Sequence, residues 1–157
     1  MNRKAQHLIF SATLVLFLFF LATTLFYDSL FTPPDMGQRR YEAVSKQADR
    51  LSDTLVMPGY PLDWNENNVE RAGLATDGEL NNTKLTQLEK LADDDYEEAK
   101  SVLGIRSDYH INVTSESRTV SIGKRPQRPD YLAVQRRTLK DEDGTARITI
   151  SVYEDEP

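Results

Sequence analysis

The chain has 157 residues, of which 19 are basic and 25 acidic, so its formal net charge is −6 at pH 7. This surplus of carboxylates disfavours binding to nucleic acid and to anionic lipid headgroups. The sequence contains no cysteine, which excludes disulfide bonds, thiolate metal sites and cysteine nucleophiles.

An uncharged run from Leu8 to Tyr27 follows a short basic leader that contains Arg3 and Lys4. A helix of this length spans roughly 30 Å, the thickness of a bilayer's hydrocarbon core, whereas secretory leaders carry shorter apolar runs. We therefore predict a retained transmembrane helix over residues 6–31, with the lipid bilayer as a partner. Because the basic residues precede the run, we expect a single-pass protein of the cell membrane with a cytoplasmic N-terminus.

Pro33 and Pro34 are expected to end or bend the apolar helix. We assign residues 1–5 to the leader, residues 32–37 to a linker, and residues 38–157 to one extracytoplasmic domain. The start of this domain has apolar residues at steps of three and four, which predicts a helix with one buried stripe. The stripe consists of Tyr41, Val44, Ala48, Leu51 and Leu55. It packs either on the domain's own sheet or against a neighbouring subunit.

The segment "MPGYPLDWN", from Met57 to Asn65, contains two prolines and a glycine, which exclude regular structure. Tyr60 and Trp64 supply large amphipathic rings in this loop. Two interpretations follow: the rings form a binding loop for a sugar, or Trp64 fills the edge of the core.

The region after this loop predicts a short strand over Val69–Ala75 and then two short helices. Leucines stripe the first helix, the second carries a mixed apolar stripe, and Gly104 is a plausible C-cap. The stripes are formed by Leu85, Leu88 and Leu91 in the first helix and by Tyr96, Ala99, Val102 and Leu103 in the second.

The last fifty residues change to a period of two, which predicts two β-hairpins. The inward-facing residues are predicted to be Tyr109, Ile111, Val113, Val120 and Ile122 in the first hairpin, and Leu132, Val134, Ile148, Ile150 and Val152 in the second. The predicted fold class is therefore α+β. It comprises a single N-terminal transmembrane helix and a small domain with helices packed on one face of an antiparallel sheet of about four strands.

Residues able to carry chemistry are few. The two histidines are His7, at the predicted inner edge of the membrane, and His110, on the polar face of a predicted strand, and neither has an obvious acidic neighbour. Nucleophilic catalysis usually needs a histidine base that a third group, often an acid, holds in position, so we do not expect an enzyme. We interpret the acidic run 93–95 as favourable charge at a helix N-terminus and the run 141–143 as surface charge at a turn. Neither run has the alternating spacing of carboxylates in a calcium loop. We expect no metal and no cofactor.

Two Asn-x-Thr acceptors, at Asn81 and Asn112, are candidate N-glycosylation sites. Asn81 lies in a loop before a predicted helix, and the period-two pattern turns Asn112 outward. In the alternative interpretation Asn82 or Thr83 caps the helix.

The leader "NRKAQHLIF" places a small residue and a glutamine directly before the apolar helix. This arrangement resembles the processing site of archaeal type IV pilins and pilin-like membrane proteins, which carry a class III signal peptide. Further segments similar to recurring segments of such proteins are "GYPLDWN", "GLA", "LNNTKL" and "YEEAKSVLGI". The resemblance implies that a prepilin-type peptidase cuts between Ala5 and Gln6.

The resemblance also implies a function. Removal of Arg3 and Lys4 with the leader would let the apolar helix pack among identical helices in a surface filament. The expected partners are copies of this chain or other pilin-like subunits. Pro33 and Pro34 interrupt the long helix typical of major pilins and so favour a minor or accessory subunit of a pilus-like or secretion assembly. The alternative is a monomeric membrane-anchored binding module for a sugar, peptide or envelope component.

Overall fold

The structure is a computed structural model that describes residues 13–24, 36–142 and 144–155. The chain divides into two compact units, Met1–Asp35 and Met36–Pro157. In the first unit, residues 13–24 form a helix, α1. The described part of the second unit contains three helices and a six-stranded sheet. The finer assignment of residues 1–5, 6–31, 32–37 and 38–157 stays a prediction.

The described residues contain no helix that combines the length and the apolar character needed to cross a membrane. The twelve described residues of α1 rise about 18 Å, against roughly 30 Å of hydrocarbon core. The second helix, α2 (Met36–Leu55), has 20 residues but carries charged side chains throughout its length. The predictions of a transmembrane signal anchor and of a single-pass protein of the cell membrane are contradicted by this finding. Leu8 and Tyr27, which mark the ends of the uncharged run, lie outside the described residues.

The helix α2 buries one stripe of side chains. Val44, Ala48, Leu51 and Leu55 are fully buried, as their spacing predicts. Tyr41 is instead 50% exposed, because the buried part of α2 begins only at Val44. The stripe packs on the domain's own sheet, against the strands β5 and β6 defined below.

Two short helices follow, α3 (Asn82–Asp94) and α4 (Tyr96–Leu103). Their buried residues include the leucines at 85, 88 and 91 and the apolar residues at 99, 102 and 103, which confirms both predicted stripes. Asp95 separates the helices and caps α4, since its side chain accepts a hydrogen bond from the Glu98 amide at 2.9 Å. Gly104 ends α4 in the left-handed conformation, with φ 69°, as predicted.

The strands are β1 (Ala75–Thr76), β2 (Glu79–Leu80), β3 (Asp108–Thr114), β4 (Thr119–Gly123), β5 (Tyr131–Asp141) and β6 (Gly144–Glu154). They form one sheet in the order β1-β2-β5-β6-β3-β4. Both predicted hairpins are present, β3–β4 and β5–β6. The prediction of an antiparallel sheet of about four strands is nevertheless wrong, because β1 and β2 add two strands and β2 runs parallel to β5. Each added strand has two residues, too few to produce a visible alternation.

The face of β5 was predicted one residue out of register. Leu132 and Val134 are exposed, whereas Ala133 is buried. Ala133 pairs with Val152 of β6, whose side chain is in the core, so the odd-numbered residues of β5 share the inner face. Leu132 and Val134 therefore lie on the outer face of the sheet, whereas Leu139 lies on the inner face and is buried.

Candidate functional site

The largest exposed apolar surface of the described residues is on α1. Eight consecutive large apolar side chains, at positions 14–21, are 48–72% exposed. Since successive helical residues are about 100° apart, eight of them surround the helix on every side. The hydroxyls of Thr23 and Thr24 donate back to carbonyl oxygens of Phe19 and Phe20, at 2.9 and 2.6 Å. These two polar residues therefore add no unsatisfied donor to the apolar surface.

The predicted processing site, Ala5 and Gln6, lies outside the described residues, as do Leu8 and Tyr27. Cleavage between Ala5 and Gln6 therefore stays a prediction.

The predicted binding loop contains one buried ring and one exposed ring. Trp64 is 3% exposed, and its Nε1 donates to the Gly73 carbonyl oxygen at 3.0 Å. Tyr60 is 55% exposed. Because the Trp64 ring fills the core, it is not available to stack on a ligand, and Tyr60 is the ring that the loop presents.

Close backbone packing fixes this loop. A Cβ atom on Gly73 would lie 2.3 Å from the Met57 carbonyl oxygen, so only glycine fits there. Lys84 is buried, and its Nζ donates to the Pro58 carbonyl oxygen at 2.5 Å. Burial lowers the pKa of Lys84, with nearby Asp63 opposing the shift. Glycine contacts and a buried lysine thus hold the loop from two sides.

The two candidate glycosylation residues have structural surroundings of different kinds. Asn81 caps α3: its Oδ1 accepts from the Lys84 amide at 3.0 Å, and its Nδ2 donates to Thr76 Oγ1 at 3.1 Å. Asn112 lies in β3, paired with Ser121 of β4 on one side and with Thr149 of β6 on the other. Glycosylation at either residue stays a prediction.

One pair of residues has the spacing of a nucleophile and its base. Nε2 of His110 lies 2.8 Å from Ser121 Oγ on the outer face of the sheet. Burial lowers the pKa of His110, and nearby Arg125 acts in the same direction. Among the described residues, no carboxylate hydrogen-bonds to the His110 ring, so the group that orients a catalytic histidine is missing from this pair. No cluster of three or more potential metal ligands occurs among the described residues.

An aromatic and cationic cluster was missed by sequence reasoning. The rings of Tyr96 and Tyr109 are stacked, with centroids 5.0 Å apart, and Lys124 Nζ lies 4.2 Å from the Tyr96 centroid. The Tyr96 hydroxyl accepts from the Tyr109 amide at 3.0 Å and donates to Asp108 at 3.2 Å. Burial raises the pKa of Tyr96. The cluster attaches the connector after β4 to the N-terminal turn of α4.

A cleft of about 470 Å³ opens beside α2. It is lined by Arg50, Asp53 and Thr54 of α2, by Glu70 and Arg71, and by residues 101–104 at the end of α4. Asp53 is already bonded to Arg137 at 2.7 Å, whereas Arg50 and Arg71 have no ion pair among the described residues. The backbone of Tyr60 forms an antiparallel bridge with that of Arg71, one of the lining residues. Because these residues come from distant segments of the chain, no local motif indicates the cleft.

Comparisons with protein-family models, with curated proteins and with solved structures give no match to this chain.

Proposed function

We propose that this protein is a non-enzymatic, pilin-like assembly subunit, in which α1 packs against the same helix of other copies. The observation that carries the proposal is the all-round exposure of apolar side chains at positions 14–21. A helix that is apolar on every side is normally buried, and each buried Leu or Phe stabilises the packed state by about 1.5–3 kcal/mol. Eight such residues supply enough apolar surface for helices of several copies to associate.

The domain formed by the second unit fits a displayed head in this proposal. Its apolar stripes are buried in its own core, so they do not need the surface of a partner to be covered. The Thr23 and Thr24 hydroxyls of α1 are satisfied within the helix, which favours close packing of helix against helix.

Processing would supply the switch to assembly. In the proposal a prepilin-type peptidase cuts between Ala5 and Gln6 and removes the charges of Arg3 and Lys4 from the end of the apolar segment. The double proline at 33–34 supports an accessory rather than a major subunit, because two prolines disfavour the long continuous helix that is typical of major pilins.

A sedimentation experiment on the processed native chain tests the proposal. Wild type is expected to form large species, and the double variant Leu16→Glu/Phe20→Glu is expected to stay monomeric, because two carboxylates cannot be buried in an apolar helix contact. The control is Leu132→Glu, which changes an exposed leucine of β5 and should assemble like wild type. Intact mass of the native protein is expected to show a chain that begins at Gln6.

Two outcomes contradict the proposal: a wild type that stays monomeric at all concentrations, or an α1 variant that assembles as well as wild type. A monomeric wild type would favour the second candidate function, a binding module. The observation in favour of that module is the exposed ring of Tyr60, a residue whose backbone is bridged to Arg71 of the cleft lining. Trp64, the second ring predicted for the binding loop, is buried. The binding module is therefore the second candidate function and the assembly subunit the first.

A further inference from the structure

The cleft beside α2 carries uncompensated positive charge. Arg50 and Arg71 line it without an ion pair among the described residues, whereas Asp53 is occupied by Arg137. Glu70 is the one lining carboxylate that remains. Thr54 and Ser101 add hydroxyls. Planar guanidinium groups in a concave site are suited to bind carboxylates, because each can donate two parallel hydrogen bonds.

A patch of opposite charge lies where α3 meets α4. We call it the acidic corner: Asp93, Asp94, Asp95, Glu97 and Glu98, all of them exposed. Asp95 is used as the cap of α4, and Glu97 lies 3.4 Å from Lys100. In the described part of the chain, Asp93, Asp94 and Glu98 form no ion pair.

The two patches lie at opposite ends of one helix. The acidic corner includes the first residues of α4, and the cleft is lined by its last ones. Eight helical residues rise about 12 Å, which exceeds the Debye length of about 8 Å at physiological ionic strength. The charges of the corner therefore do not neutralise those of the cleft within one copy.

We propose that the acidic corner of one copy docks in the cleft of the next copy, with Asp94 and Glu98 facing Arg50 and Arg71. The occupant of the cleft is thus a second copy of this chain, argued from charge complementarity. The proposal rests on the proposed function and deepens it by adding a contact between head domains to the contact through α1.

The contact joins two different patches, so it is heterologous. Each pair of copies leaves one cleft free at one end and one acidic corner free at the other. A heterologous contact that does not close into a ring gives an open, helical assembly, which is the geometry that a pilus-like filament requires.

Charge-swap variants of the processed native chain test this contact. The cleft variant is Arg50→Glu/Arg71→Glu, and the corner variant is Asp94→Lys/Glu98→Lys. Each variant alone places like charges opposite each other, so its association constant is expected to fall about tenfold or more. An equimolar mixture of the two variants is expected to assemble like wild type, because every cleft then meets a corner of opposite charge.

The control for charge alone is Arg136→Glu. Arg136 is an exposed arginine of β5 without an ion pair among the described residues, so its substitution by glutamate should leave assembly unchanged. Circular dichroism verifies that each variant is folded. High salt is expected to weaken wild-type assembly through the head contact, since exposed ion pairs are screened.

The outcomes separate this inference from the proposed function. If the α1 variant abolishes assembly while neither charge variant changes it, the head contact is wrong and the contact through α1 stands. If single variants are impaired but their mixture is not restored, the pairing of corner with cleft is wrong. If the α1 variant assembles normally, the proposed function fails, whatever the charge variants do.

Discussion

The helices α1 and α2 use similar apolar residues in two different arrangements. In α2 they form one stripe whose members, such as Val44 and Leu51, are fully buried on the sheet. In α1 they occupy every side of the helix and stay about half exposed or more. The sheet of the domain provides the surface that the α2 stripe needs.

This difference assigns two energetic roles to two parts of the chain. Residues of the α2 stripe should determine the free energy of unfolding of the domain, whereas residues of α1 should determine association between copies. The two properties should therefore respond independently to substitution.

The largest effect is expected for Leu51→Ala in α2. Leu51 is fully buried, so its truncation removes buried apolar surface and leaves a cavity. The free energy of unfolding should fall by about 3 kcal/mol. Chemical denaturation followed by tryptophan fluorescence measures it, because Trp64 is the single tryptophan and lies in the core of the same domain.

The matched control is Leu16→Ala in α1. Leu16 is 69% exposed, so the free energy of unfolding of the domain should stay within about 0.5 kcal/mol of wild type. If both substitutions destabilise the domain equally, the separation between the two helices is lost.

A smaller decrease in the free energy of unfolding is expected for Trp64→Phe. This substitution tests whether the loop over residues 57–64 contributes to stability. The substitution leaves the Gly73 carbonyl oxygen without its side-chain donor in a buried position. The free energy of unfolding should fall by about 1–2 kcal/mol, as measured by denaturation followed by circular dichroism, because the variant contains no tryptophan. Tyr60→Phe is the control, since the exposed Tyr60 hydroxyl makes no hydrogen bond among the described residues. Equal destabilisation by both changes would mean that the loop is not anchored by Trp64.

The periodicity of the sequence was enough to predict α2, α3, α4 and both hairpins. Strong periodicity identifies these elements because each buries one face in the same core. Periodicity did not predict the correct structure where the apolar pattern was misleading or where a strand was too short. Leu132 and Val134 look like core residues, but the pairing of Ala133 with Val152 turns them outward. The parallel pairing of Glu79 with Lys140 joins residues far apart in the sequence.

The candidate sites, like the fold, could be predicted from the sequence only in part. The Tyr60 and Trp64 loop was found from composition, but which ring is buried depends on the position of Gly73 in a later segment. The cleft combines Arg50, Arg71 and the end of α4, which only the tertiary fold brings together. The chain has a net acidic charge, which gives no indication of the two arginines without an ion pair in the cleft.

The smallest predicted effect concerns pH and His110, whose pKa lies below its ordinary value of 6.5, mainly because of burial. Below about pH 6.5 the unfolded chain therefore binds more protons at this residue than the folded one, and the domain loses stability as the pH falls. His110→Gln should lose less stability than wild type between about pH 7 and pH 5.5, as measured by denaturation at each pH. The described residues of α1 contain no ionisable side chain, so association through α1 should not change over this range. An identical pH dependence of unfolding in wild type and variant would contradict the lowered pKa, and a change in α1-driven association would break the separation of the two helices.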